Sequence, residues 1–153
     1  MRVEKDYEDL LRLLNKYEVK YCIVGAFAVA YYAKPRYTKD IDILVEPSQK
    51  NAENLLKALH EFGFGSLALS TQDFTELGQI IQLGYEPIRI DIITSIEGID
   101  FKQIWQNRVT GSYGNLKVPF IGLLDLIACK KASNRSQDLA DLEILKKALE
   151  AQK

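Results

Sequence analysis

Histidine and cysteine are scarce in this chain, and their scarcity narrows the chemistry available to it. Its 153 residues include one histidine, His60, which stands near the end of a predicted helix, where a surface position is expected. A mechanism that needs a histidine base therefore has little support. The two cysteines, Cys22 and Cys129, each stand among aliphatic residues without a Cys-x-x-Cys spacing. We expect small buried thiols in a reducing cytoplasm, with neither a disulfide nor a metal site.

The chain also lacks a large charge excess and a long apolar run. Its 20 basic and 21 acidic residues give a net charge of −1, which argues against a broad basic face for nucleic acid but leaves room for a local basic patch. The longest run without a charged residue, 21–33, is too short to span a bilayer. The amino-terminal segment is charged and amphipathic, so it predicts no signal peptide.

Apolar spacing in the first half predicts alternating strands and helices. The run "YCIV" at 21–24 indicates a short strand that ends at Gly25, where a helix begins. A second strand is predicted at 41–45. Ser48 is a candidate N-cap for the helix that follows, and Gly63 is a candidate stop for it.

The second half predicts a hairpin, a strand and two closing helices. The apolar runs 80–83 and 88–94 are separated by the turn-like residues "GYEP", which favours a hairpin. A strand is predicted at 116–120, and Ser136 is a candidate cap for the last helix.

Together these elements predict an α/β (α+β) fold, with a mixed β-sheet flanked by helices and a short helical tail. No linker or repeat divides the chain, so we expect a single domain over 1–153. Its core would span about 18–120 and its carboxy-terminal helices about 121–150.

Three aspartates interrupt apolar strands. Asp40 and Asp42, in "DIDILV", point to the same side of their strand, and Asp91 lies in a second one, "RIDII". A single strand aspartate is more typical of an edge or of an ion pair, here with Arg89 or Arg36. Three of them favour a divalent cation, because Mg²⁺ prefers hard oxygen ligands.

A glycine turn precedes these acids. Gly25 connects a strand directly to a helix, where backbone N–H groups and the helix dipole favour an anion. Such a turn is weak evidence alone, but it stands shortly before Asp40. The combination favours a metal-assisted phosphate site.

The segment "VGAFAVAYYAKPRYTKDIDILV" resembles the signature of the nucleotidyltransferase superfamily with the DNA-polymerase-β-like fold. Arg36, Thr38, Asp40 and Asp42 most resemble a small bacterial branch that includes abortive-infection toxin-type nucleotidyltransferases. The closing segment "LLDLIACKKASNRSQDLADLEIL" is similar to that branch's last motif. The matching residues there are Lys130, Arg135, Asp138 and Asp141.

The resemblance implies transfer of a nucleoside monophosphate from an NTP, with two Mg²⁺ ions as cofactors. It implies metal-binding and catalytic roles for three acids: Asp40, Asp42 and Asp91. It implies nucleotide-binding roles for six residues: Gly25, Ala26, Arg36, Thr38, Lys130 and Arg135. Two positions depart from the pattern, since the superfamily usually has Ser or Gly at Ala26 and the branch often has Lys at Gln137.

The sequence therefore predicts a Mg²⁺-dependent nucleotidyltransferase whose acceptor is RNA, protein or a small molecule, with membership of a toxin–antitoxin pair left open. One alternative is an antibiotic adenylyltransferase of the aminoglycoside or lincosamide type. Another is a degenerate module that binds a nucleotide or a partner without turnover, as Ala26 and Gln137 suggest. The choice of NTP, the oligomeric state and any toxin or antitoxin partner are not determined by the sequence.

Overall fold

The computed structural model describes residues 3–33, 40–84, 89–133 and 135–152, apart from the side chains of Ser66 and Gln137. The helices are α1 (Lys5–Lys16), α2 (Gly25–Tyr32), α3 (Gln49–Leu59), α4 (Phe101–Gln106), α5 (Leu123–Ser133) and α6 (Ser136–Ala151). The strands are β1 (Tyr21–Val24), β2 (Asp40–Val45), β3 (Ile80–Leu83), β4 (Arg89–Ile93), β5 (Val109–Tyr113) and β6 (Leu116–Phe120). Within these ranges no helix is long and apolar enough to cross a membrane.

The six strands form one mixed sheet in the order β3-β4-β2-β1-β6-β5. β2 pairs with β4, and β1 with β6, in parallel, while the other neighbours are antiparallel. The predicted hairpin is confirmed, because residues 80–83 pair with 90–93 across an antiparallel register. The predicted fold class, a mixed sheet with flanking helices and a helical tail, is confirmed as well.

The helix-end predictions have mixed outcomes. Ser48 is the N-cap of α3, and its hydroxyl accepts a hydrogen bond from the backbone N–H of Asn51 at 3.3 Å. Gly63 has a φ of 116°, in a region that favours glycine, just beyond that helix. The prediction for Ser136 is wrong, because it is the first residue of α6 and Arg135 occupies the cap position without a side-chain cap. Asp138 supplies the favourable negative charge in that first turn instead.

Alternation along β2 separates the core from the candidate site. Ile41 and Ile43 are completely buried, and each burial stabilises the fold by about 1.5–3 kcal/mol. Asp40 and Asp42 project from the other side of the strand and stay partly exposed. Helix α2 packs against β1 and β2 and also contacts α5 and α6. The acids of β2, the start of α2 and the carboxy-terminal helices are therefore neighbours.

Candidate active site

Strand pairing brings the three predicted metal ligands to one face of the sheet. Asp42 lies opposite Asp91, and Asp40 lies opposite Arg89, in the parallel pair of β2 and β4. Because residues two apart in a strand share a face, all four side chains project on the same side. The carboxyl groups of Asp42 and Asp91 lie within hydrogen-bonding reach of each other. Asp91 thus joins the other two acids in space, and their metal-binding and catalytic roles stay a prediction.

Burial makes the Asp42–Asp91 pair reluctant to carry two negative charges. Burial, together with the nearby Asp91 and Asp40 carboxyls, raises the pKa of Asp42 to about 7, while Lys130 acts in the opposite direction. Burial also raises the pKa of Asp91, against the hydrogen bond to Asp42 and the charge of Arg89. Near neutral pH the pair therefore tends to share one proton, and a cation placed beside it would displace that proton.

Two carboxylate oxygens at this site lack a donor. Asp40 Oδ1 and Asp91 Oδ1 are buried, and neither has a hydrogen-bond partner among the described residues. Arg89 Nε is 3.9 Å from Asp40 Oδ1, which is an ion-pair distance but too long for a hydrogen bond. Buried oxygens of this kind are costly unless a positive charge meets them. In the described ranges, however, no three acidic, histidine or cysteine side chains form a ready metal-ligand group.

Gly25 closes the site from the side of β1. Its φ is 68°, and an added Cβ would overlap the Asp42 carboxylate, so both the backbone and the space require glycine. Helix α2 starts at this residue, and no side chain caps its first turn. The backbone N–H groups of Gly25 and Ala26 therefore lie in an uncapped helix start beside the acids.

The carboxy-terminal tail forms the opposite wall of a cleft. The cleft has a volume of about 170 Å³ and lies between the start of α2, Asp42 of β2, the end of α5 and the start of α6. Its polar lining consists of Gly25, Asp42, Lys130, Ser133, Arg135 and Asp138. Three of the six residues that the sequence singled out for nucleotide binding, Gly25, Lys130 and Arg135, thus line one cleft.

Lys130 is held in this wall by two buried acids. Its Nζ lies 3.0 Å from Asp138 Oδ1 and 3.2 Å from Asp141 Oδ2. Arg135 Nε donates to Asp138 Oδ2 at 2.8 Å, and the Ser133 hydroxyl donates to the same oxygen in a short hydrogen bond. The motif comparison matched both aspartates but gave neither a role. Their burial follows from tertiary packing, which spacing alone does not reveal.

Some predicted residues lie outside the described part of the chain. Arg36 and Thr38 are among them, as is the side chain of Gln137. A larger cavity, about 750 Å³, lies at the other end of α2 beside Tyr31 and Tyr32. None of the predicted site residues lines that cavity, so the smaller cleft is the better candidate for the chemistry.

Comparison with known proteins now identifies the family. The profile of a family described as "Nucleotidyl transferase of unknown function (DUF2204)" matches residues 3–153. The chain belongs to this family. The predicted membership of the nucleotidyltransferase superfamily is therefore confirmed, whereas the toxin-type branch stays a prediction. No curated protein sequence is significantly similar to the chain.

Solved structures share the fold at low sequence identity. The lincosamide antibiotic adenylyltransferase LnuA, bound to lincomycin, aligns with a TM-score of 0.58 and 17% identity over 94% of this chain and 96% of its own. A putative nucleotidyltransferase from Thermotoga maritima gives 0.59 and 16% over 98% and 96%. ANT(2")-Ia in complex with adenylyl-2"-tobramycin gives 0.59 and 11% over 95% and 88%. These similarities establish a common fold for this DUF2204 member.

Proposed function

We propose that the protein is a Mg²⁺-dependent nucleotidyltransferase that uses the cleft between the strand acids and the α5–α6 tail. The observation that carries the proposal is the pairing of Asp42 with Asp91 beside the Gly25 turn, with the cations Lys130 and Arg135 across the cleft. Acids on one wall and cations on the other suit a metal-bound triphosphate, and the family supports this class of reaction.

Among the described residues, one buried oxygen each of Asp40 and Asp91 has no donor, and such oxygens fit a divalent cation, since hard carboxylate oxygens are the ligands that Mg²⁺ prefers. Asp40, Asp42 and Asp91 would hold the metal. When bound, it would neutralise charge on the phosphates and align the reacting oxygens.

The protein's own groups then have separate tasks in the reaction. An acceptor oxygen attacks the α-phosphorus of the NTP, the bond from that phosphorus to the bridging oxygen breaks, and pyrophosphate leaves. Asp91 accepts the proton of the acceptor hydroxyl. The N–H groups of Gly25 and Ala26 bind phosphate oxygens, and Lys130 and Arg135 stabilise the negative charge that develops on the pyrophosphate.

The test is transfer of label from each α-labelled NTP, with Mg²⁺, to candidate acceptors. Asp42→Asn and Asp91→Asn should abolish labelling, because each removes a carboxylate from the pair. Asp6→Asn is the matched control, because Asp6 is exposed in the first turn of α1 and does not line the cleft. Labelling that survives either active-site substitution would refute the assignment.

A small hydroxylated antibiotic is the first acceptor to test. LnuA is described as a lincosamide adenylyltransferase, and the ANT(2")-Ia structure contains adenylyl-2"-tobramycin. Nearly complete coverage of this chain and of LnuA supports the comparison. The net charge of −1 is less suited to RNA, which usually requires a basic face. Lincomycin, tobramycin and total RNA assayed side by side separate these acceptors.

The degenerate-module alternative predicts binding without transfer. Ala26 offers a backbone N–H but no hydroxyl to the triphosphate, which is the observation that keeps this alternative open. Nucleotide binding without label transfer to any acceptor would favour it over both enzyme readings.

A further inference from the structure

The tail wall of the cleft contains two acids, Asp138 and Asp141, which a phosphate would repel unless cations separate them from it. Asp138 and Asp141 are 2% and 1% exposed, and both contact Lys130, which is itself only 13% exposed. Arg135, at 78%, is the one largely exposed member of this group. We call these four residues and Ser133 the tail cluster. Exposure rises outward from the two acids through Lys130 to Arg135.

That gradient indicates which groups meet a ligand. Asp141 does not line the cleft, and the described contacts of Asp138 engage both of its oxygens, through Lys130 on one and through Ser133 and Arg135 on the other. Lys130 and Arg135 both line the cleft. Asp141 therefore stands behind the cations, whereas Asp138 lines the cleft with both of its oxygens already engaged by Lys130, Ser133 and Arg135.

Lys130 and Arg135 have more N–H donors than their contacts with the two aspartates use. An ammonium has three N–H donors, and the contacts with Asp138 and Asp141 occupy two of them. Within the described part of the chain, the guanidinium of Arg135 contacts Asp138 through Nε, and its terminal nitrogens remain for another planar or tetrahedral anion. Both cations are thus anchored from behind with donors remaining.

We propose that Asp138 and Asp141 are positioning residues, which fix the Lys130 ammonium and the Arg135 guanidinium as a preorganised binding surface for the β- and γ-phosphates of the NTP. The inference rests on the proposed function and deepens it, since it assigns the tail cluster to the leaving pyrophosphate portion. A positioned cation loses less freedom on binding than a flexible one, which is why anchoring helps affinity.

The direction in which Asp141→Asn changes nucleotide affinity distinguishes a positioning role from a purely electrostatic one. Asp141→Asn removes a negative charge near the phosphates, so electrostatics alone predicts tighter binding, by about threefold for one charge at about 7 Å in water. Positioning predicts the reverse, because a loosened Lys130 no longer presents its third donor. We expect the Kd of α,β-methylene-ATP with Mg²⁺, measured by calorimetry, to rise at least tenfold.

One control and a second test variant ensure that the result does not depend on whether Asp141→Asn folds. Glu143→Gln makes the same acid-to-amide change at an exposed site on α6 and should leave the Kd within twofold. Arg135→Lys keeps the charge at a largely exposed position, so the fold should survive even if Asp141→Asn does not fold. Because lysine cannot both replace the Nε contact and present a fork of donors, Arg135→Lys should weaken binding about tenfold.

Kinetics add a readout that general loosening would not produce. Asp141→Asn should raise the KM for the NTP about tenfold and leave the KM for the acceptor within twofold. Tighter or unchanged nucleotide binding in Asp141→Asn, or unchanged binding in Arg135→Lys, would overturn the inference.

The outcome is distinguishable from failure of the proposed function. A wild-type protein that binds α,β-methylene-ATP but transfers no label would refute the transferase proposal, and the two Kd comparisons would still decide this inference. A wild-type protein that binds neither α,β-methylene-ATP nor inorganic tripolyphosphate would overturn the inference itself.

Discussion

Replacing Gly25 with alanine tests the tightest contact in the candidate site. A Cβ at this position would overlap the Asp42 carboxylate, and it would also lie 3.1 Å from Asp42 Cβ. Rotating the carboxylate relieves the first overlap but not the second, because the Asp42 Cβ is fixed by β2. Either the start of α2 or the strand must therefore shift, and the hydrogen bond between Asp42 and Asp91 is disturbed.

The loss of unfolding free energy in Gly25→Ala has two parts, backbone strain and the contact with Asp42. The same substitution at Gly78 measures the first part alone. Gly25 and Gly78 have φ values of 68° and 78°, so alanine at either site costs about 1–2 kcal/mol of backbone strain. A Cβ on Gly78 meets nothing within 4 Å, and Gly78→Ala therefore reports strain alone. Gly25→Ala adds the overlap with Asp42, and overpacking of this kind costs about 1–3 kcal/mol. We expect a total loss of about 2–5 kcal/mol.

Urea denaturation of both variants, followed by circular dichroism, measures the difference. Gly25→Ala should also abolish stabilisation by Mg²⁺ with nucleotide, whereas Gly78→Ala should retain it. Equal losses of unfolding free energy in the two variants would refute the reasoning, because the contact with Asp42 would then contribute nothing.

Three further predictions concern the acids and the tail. Asp42→Asn should leave the metal-free protein as stable as the wild type or more so, because it removes a buried carboxylate that its neighbours repel. Thermal melts of the variant should show no stabilisation by Mg²⁺. A marked loss of metal-free stability would indicate a structural ion pair instead. Although burial acts to raise it, hydrogen bonds from the tail cluster lower the pKa of Asp138 overall. The ionised Asp138 therefore contributes its full stabilisation above the ordinary aspartate pKa of about 4, and this contribution is lost as the pH falls below that value. In an acid titration, the unfolding free energy of Asp138→Asn should fall less steeply with decreasing pH than that of the wild type. Lys130→Met should reduce kcat/KM for the NTP about tenfold or more, because a charge-assisted contact is lost. Lys131→Met, at an exposed position, should change kcat/KM less than twofold in the same assay. Equal effects of the two substitutions would place the tail outside the site.

Local signals in the sequence predicted the elements that depend on few residues. Alternation in "DIDILV" predicted that Asp40 and Asp42 share a face, and the structure places Ile41 and Ile43 in the core. Ser48 was recognisable as an N-cap, because that interaction involves neighbours in the chain. These features need no knowledge of distant contacts.

Nonlocal contacts account for what the sequence left undetermined. The register that sets Asp42 opposite Asp91 joins strands separated by more than forty residues, and periodicity does not define such a pairing. Asp138 was recognisable from the sequence only as a residue that matches the closing motif, without a role. Its burial against Lys130 depends on how α5 and α6 pack, so the tail cluster emerged only from the three-dimensional arrangement. Ser136 was predicted as a cap, but α6 already begins at that residue and Arg135 holds the cap position.

The separation of charge across the cleft gives the proposed reaction a direction. The sheet wall presents Asp42, with Asp40 and Asp91 beside it on the same face of the sheet. The tail wall presents Lys130 and Arg135, and the Gly25 turn lies between the two walls. The β- and γ-phosphates together carry most of the negative charge of a triphosphate, so we expect them to bind at the tail wall. The α-phosphate then lies beside the strand acids. Without a divalent cation the acids would repel the α-phosphate, so nucleotide binding should depend on metal more strongly than binding of inorganic tripolyphosphate, which can engage the tail alone. Calorimetry of both ligands with and without Mg²⁺ measures this, and equal metal dependence for the two would contradict the assigned orientation.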